Sequence, residues 1–172
     1  CNLVYNKAGS KKGVMHMLWI TVIAGIFFLE YVIKKYMDRK LALDEQRPRF
    51  GGRIILKKYY NTGSAGNLMS RSPKAVRCVH TVVLGLTAGM LAAAVPAKHA
   101  AAAKMGLSFL AGGGLSNLHD RMTKGHVVDY FSFGFGPQKF RKLVFNTADL
   151  FIFAGVLLCM AHTIGKDLQK NR

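Results

Sequence analysis

Asp129 and Asp149 are the residues best placed to do chemistry, because the chain has only eight acidic residues against twenty-five Lys and Arg. Asp129 belongs to Ser116–Phe133 (SNLHDRMTKGHVVDYFSF), which closes an apolar segment, and Asp149 to Leu143–Asp149 (LVFNTAD), which opens another. An ionisable group inside a membrane span costs roughly 2.5–3.5 kcal/mol on insertion scales, so it usually faces the bundle interior and marks function. Asp149 and Glu30 meet that description. Two carboxylates held together in a poorly hydrated site cannot both ionise easily, so one keeps a proton and the pair titrates as a unit. The ionised member can activate water while the protonated one polarises a carbonyl, which is aspartyl peptidase chemistry. Taken singly, Asp149 could be a helix N-terminal aspartate satisfying free backbone N–H groups. That reading does not account for Asn117, Asp120 and Asp129 at the end of the preceding apolar run.

The elements that must position these acids are apolar. In 172 residues the apolar fraction is 51%, and it falls in runs at 14–33, 78–95, 100–118 and 143–164. Each is close to the roughly 20 residues that carry a helix across about 30 Å of hydrocarbon. Four spans are expected, with a soluble bundle as the alternative that the third run, holding Lys104 and Gly112–Gly114, keeps open. Lys7, Lys11 and Lys12 precede the first run, which is too long for a signal peptide and has no small-x-small site after it; a retained span is expected. Three cysteines, two of them inside runs, give no disulfide or zinc spacing.

The stretch Lys34–Arg77 carries twelve of the basic residues. Within it Arg53–Tyr60 (RIILKKYY) has strand character between Gly51-Gly52 and Asn61-Thr62-Gly63, which predicts a small sheet on the membrane surface within about 44–70. Gly85-x-x-x-Gly89 and Gly112–Gly114 predict close helix packing. Pro137 breaks any helix between His119 and Lys142. The last span is expected to open at Leu143, which would put Asn146 and Asp149 on one helix face one to two turns below its start. Four spans return the start of the last run to the side where the third ends, so Asp129 and Asp149 can converge in either orientation.

The blocks around these acids, Gly113-Gly-Leu-Ser-Asn117-Leu-His-Asp120-Arg121, Gly125-His-Val-Val-Asp129-Tyr and Phe145-Asn146-Thr-Ala148-Asp149, resemble the G-N-x-x-D-R, G-x-V-V-D-F and F-N-x-A-D blocks of lipoprotein signal peptidase, also called signal peptidase II. Glu30-Tyr-Val-Ile-Lys34 resembles that family's D-x-x-x-K, and Asn61-Thr-Gly63-Ser64-Ala65 its N-x-G-A-A. The resemblance implies an all-α membrane peptidase domain of four transmembrane helices with a small extracytoplasmic β-sheet after the first, in the bacterial cytoplasmic membrane. It implies Asp129 and Asp149 as the catalytic dyad at the outer face. Asn117, Arg121 and Asn146 would orient the dyad or contact substrate, with Asp120, Glu30 and Lys34 in support, and Asn61 and Gly63 would line the cleft from the sheet side. The implied substrates are prolipoproteins cut before a diacylglyceryl-modified cysteine, among membrane lipids, with cyclic peptide inhibitors of the family as further ligands and no metal or organic cofactor. Glu30, Ser64, Gly66, Ser116 and Ser132 depart from the usual residues and imply a divergent member with narrowed or altered substrate choice.

Other readings are weaker. His119, Asp120, His126 and Asp129 match no metal-ligand spacing. Gly63-Ser64-Ala65-Gly66 has the wrong order for a serine hydrolase, and Gly51, Gly52, Gly63 and Gly66 could serve as hinges. His16, His80 and His162 stand singly in spans and read as packing residues. The net charge of +17 lies on connections beside apolar runs, which favours lipid headgroups over nucleic acid. With the N-terminus inside, seventeen Lys and Arg fall outside and eight inside, so charge alone would invert the chain; a first loop folded as a surface domain weighs less in that rule. The alternative function is a proton or cation relay through Glu30, Asp129 and Asp149.

Overall fold

The computed structural model describes residues 2–43, 45–63 and 72–171, with side chains from Met17 onward. Ser64 and Gly66, expected in the loop beyond Gly63, lie outside the described residues, as do Cys1 and the side chain of His16. The order is α1 (Asn2–Lys40), β1 (Gln46–Arg49), β2 (Ile54–Asn61), α2 (Pro73–Ala94), α3 (Ala101–Thr123), β3 (Val127–Phe133), α4 (Gln138–Arg141) and α5 (Thr147–Lys170). Among the described residues three helices are long and apolar enough to cross a membrane: Met17–Lys40 of α1, α2 and α5. Their outer faces carry exposed Val82, Leu86 and Met90 on α2 and Phe153, Leu157 and Met160 on α5. Lipid tolerates such faces and water does not.

α3 occupies the centre, packed by α1, α2 and α5. It need not present an apolar surface to lipid, so it carries Gly, Ser, Asn, Asp and Arg at buried positions. That is why its apolar run is weak in the sequence. A Cβ at Gly106 would lie 2.6 Å from the Gly155 carbonyl oxygen, and one at Gly113 2.7 Å from that of Ala148, so α5 reaches α3 only across glycine. Gly113→Ala should therefore push away the start of α5 and cost about 1–3 kcal/mol, whereas Gly114→Ala, whose Cβ meets only Leu84 at 3.6 Å, should be tolerated. Thermal unfolding in detergent checks the pair. Gly85 and Gly89 differ from the expectation: among the described residues nothing lies within 4 Å of a Cβ at either, so no described helix packs closely on their face of α2.

On α1 the buried residues Trp19, Ile26, Glu30 and Lys34, with part-buried Ile23 and Met37, follow the helical repeat and make one stripe toward the interior, and buried Leu41 follows just past the helix end. The stripe is apolar at Trp19, Ile23 and Ile26, ionic at Glu30 and Lys34, and apolar again at Met37. The sheet is antiparallel with order β1-β2-β3. Phe50, Gly51 and Gly52 take φ of 51°, 64° and 81° to turn β1 into β2. The third strand corrects the expectation of a sheet confined to about 44–70. Val127–Phe133 comes from the connection before α5, and Asp129 is part of it.

α5 also begins later than Leu143. Phe145 pairs with Phe131 on β3, Asn146 is the N-cap, and Asp149 stands in the first helical turn. The Asn146 side chain accepts from the Asp149 N–H at 3.1 Å while an Asp149 carboxylate oxygen accepts from the Asn146 N–H at 3.0 Å. This reciprocal cap is an N-x-x-D form of the capping box and fixes both side chains to the helix start.

Candidate active site

Four elements, β2, β3, α3 and α5, converge at Asp129 and Asp149, each bringing its acid or amide for a local reason. Pairing of β2 with β3 sets Asn61 opposite Val127, and Asp129, two residues on, shares its face. Asn61 Nδ2 accordingly donates to Asp129 at 2.9 Å. On α3, Asn117, Asp120 and Arg121 lie at i, i+3 and i+4 on one face. Asn117 Nδ2 donates to Asp149 at 3.0 Å. Asn146 Nδ2, from the cap of α5, donates to the other oxygen of Asp129 at 2.6 Å. Asn146 therefore touches both carboxylates, one through its side chain and one through its backbone.

Each amide is oriented by a donor on its oxygen, so the NH2 group has to face the acid. Gly63 N–H donates to Asn61 Oδ1 at 3.1 Å, Asp149 N–H to Asn146 Oδ1, and Lys34 Nζ to Asn117 Oδ1 at 2.7 Å. Lys34 also donates to Ser116 Oγ at 3.0 Å and pairs with Asp120 at 3.3 Å. Ser116, where the resemblance has Gly, thus supplies an acceptor to a buried ammonium. Asp120 further pairs with Lys124 at 2.9 Å. Arg121 donates to the carbonyl oxygens of Asn61 and Gly63, tying the loop after β2 to α3.

Glu30 is fully buried behind the start of α5 and accepts from Thr147 Oγ1. The Thr147 N–H donates to Tyr130 Oη at 3.0 Å, and the two hydroxyls share a 2.6 Å hydrogen bond. The neighbours of Asp129 and Asp149 are thereby locked to each other. Ser132 is buried with no partner for its hydroxyl among the described residues.

Asn61, Asn117, Arg121, Asn146, Asp129 and Asp149 line a cavity of about 390 Å³, while Glu30, Lys34, Gly63 and Asp120 are not part of its lining. The cavity also takes in His80, Val127, Leu143, Val144, Phe145, Ile152, Phe153 and Val156. The α5 members were legible as a helical face running 149, 152, 153 and 156. His80 gave no signal beyond being a lone imidazole in an apolar run. The imagined metal set disperses: His119 packs edge-on to Phe27 and Tyr31, His126 lies against Tyr60, and Asp120 holds its two lysines.

Burial, and then the Asp149 carboxylate beside it, push Asp129 up to about 7 from the ordinary 3.8, against the pull of the Asn61 and Asn146 hydrogen bonds. The folded state thus holds this proton more tightly than the unfolded chain. Stability from this group is full below pH about 4 and declines as pH rises toward 7. Relative to Asp129→Asn, the wild type should lose unfolding midpoint across that window and run parallel above it.

A family model of signal peptidase (SPase) II matches residues 22–165. The chain belongs to the signal peptidase II family. Membership makes it a protease, and its apolar helices make it a membrane protein. A lipoprotein signal peptidase of Brevibacillus brevis is 30% identical over 161 residues, covering 90% of this chain and 100% of the relative. One from Aeromonas hydrophila is 26% identical over 172 residues, covering 99% and 98%. A solved bacterial membrane enzyme shares the fold, with a TM-score of 0.74 at 20% identity over 90% of this chain and 92% of the other.

Proposed function

We propose that this signal peptidase II homologue is an aspartyl endopeptidase that removes the signal peptide from diacylglyceryl-modified prolipoproteins at the extracytoplasmic face of a bacterial cytoplasmic membrane. In this reading α3 is the fourth membrane helix, enclosed by the other three. The supporting observation is that Asn146 holds Asp129 and Asp149 side by side in one cavity whose remaining wall is largely apolar. Prolipoprotein processing is what the relatives' name carries.

Asp129, with its proton held up to pH about 7, is the acid, and Asp149 is the base. A water between them gives a proton to Asp149 and its oxygen to the scissile carbonyl carbon, while Asp129 protonates the carbonyl oxygen. The tetrahedral diol then collapses: the C–N bond breaks, Asp149 returns its proton to the departing amine, and a diol hydroxyl returns one to Asp129. Above pH about 7 the acid is lost, so kcat/KM should fall on the alkaline side; an unchanged rate to pH 9 would contradict this assignment.

The test is cleavage of a diacylglyceryl-modified lipoprotein signal peptide by purified protein in lipid. Cleavage immediately before the modified cysteine, blocked by a cyclic peptide inhibitor of the family, is the expected result. An intact peptide, with ion flux that depends on Asp129 and Asp149, would replace the peptidase by the relay.

A further inference from the structure

Among the cavity-lining residues, α2 contributes one, His80. α2 and α5 each pack on α3 and scarcely touch each other, so the cavity lies in the gap between them. Phe153 and Val156 stand on the α5 side of that gap and His80 on the α2 side. Beyond His80 the same helix presents exposed Val79, Val82, Val83 and Leu86, a face suited to acyl chains. His80 lies seven residues past Pro73, or about 10 Å along the helix axis at 1.5 Å per residue. The imidazole is half-buried and makes no hydrogen bond with any described residue. The nearby Arg121 guanidinium gives its Nη1 and Nη2 hydrogen bonds to the carbonyls of Asn61 and Gly63. The polar atoms of the imidazole are therefore available to whatever enters between α2 and α5.

We propose that His80 is a specificity-determining residue that donates a hydrogen bond to an ester carbonyl of the diacylglyceryl group on the substrate cysteine as it enters sideways between α2 and α5. The inference rests on the peptidase reading. An ester carbonyl fits because it is a neutral acceptor lying just below the headgroups, where a helix entering from the interface places a residue two turns in. The scissile amide lies instead at the dyad, and free acyl chains offer no acceptor.

The experiment compares two synthetic peptides in lipid, one carrying a diacylglyceryl cysteine and the other its dialkyl ether analogue, which lacks the carbonyls. Wild type should cut the ester form about five- to tenfold faster in kcat/KM, the scale of one hydrogen bond. His80→Phe should raise KM for the ester form by that factor, leave kcat nearly unchanged and erase the difference between substrates. His80→Gln, which keeps a donor, should retain most of the preference and covers the case in which the Phe variant misfolds. Equal cleavage of both peptides by wild type, or an ester preference that survives in His80→Phe, overturns the role of His80. Failure of wild type to cut either peptide overturns the peptidase reading.

Discussion

Asp129→Asn and Asp149→Asn should each lower kcat for prolipoprotein cleavage by about a thousandfold or more, with no matching loss of fold. Asn keeps the volume of Asp but cannot give or take a proton at working pH, so each variant takes one partner out of a mechanism that needs both. The two losses should not add. Once either carboxylate is gone the other has no complementary acid or base, and the double variant should be about as slow as either single one. Neither change empties a packed space. Asp129→Asn relieves the buried like-charge pair and should leave the unfolding temperature at neutral pH equal to or above that of wild type. Asp149→Asn retains an oxygen for the Asn146 N–H, and the backbone N–H of residue 149 still reaches Asn146 Oδ1, so the reciprocal cap is kept. Substantial turnover by either variant would remove the dyad from the mechanism.

The second large effect is one of stability. Lys34→Met should cost about 3 kcal/mol, because it takes from buried Asp120 one of its two ammonium partners, leaving only the part-exposed Lys124, and removes the donor from Asn117 Oδ1. Asn117 could then rotate its amide, and Asp149 would lose a fixed donor, so cleavage should fall along with stability. Adding Asp120→Asn should recover part of the stability by removing the buried charge that Lys124 alone then balances, and little of the activity, because Asn117 stays unanchored. Denaturation in detergent measures the first part of this expectation and peptide cleavage the second. A Lys34→Met protein as stable as wild type would show that the ion pair does not hold α1 against α3.

Much of this protein lay in the linear order of its residues. The apolar runs predict the long helices because twenty apolar residues have few other stable arrangements. The Ile and Tyr of β2, with glycines at its N-terminal turn, predict a strand there. The Asn and Asp blocks could be picked out because polar residues next to apolar runs are costly unless they are used. β3 was not legible: Val127–Phe133 is as apolar as a helix end, and only pairing with β2 gives it a period of two. α3 looked weak because its surroundings, and not its composition, supply its apolar environment. The start of α5 was placed at Leu143 because Leu, Val and Phe extend the apolar run, whereas the backbone pairing of Phe145 with Phe131 holds that segment out of the helix.

The sequence by itself determined the inventory, two isolated aspartates with three asparagines and buried cations in reach of apolar helices. Tertiary structure alone decided how they are joined: Asn146 between the acids, Lys34 on Asn117, the loop after β2 on Arg121, and His80 across the gap. Apart from the local Asn146–Asp149 cap, those hydrogen bonds span 17 to 83 residues of chain. No local pattern encodes these longer contacts, because they depend on how closely α1, α2 and α5 approach one central helix.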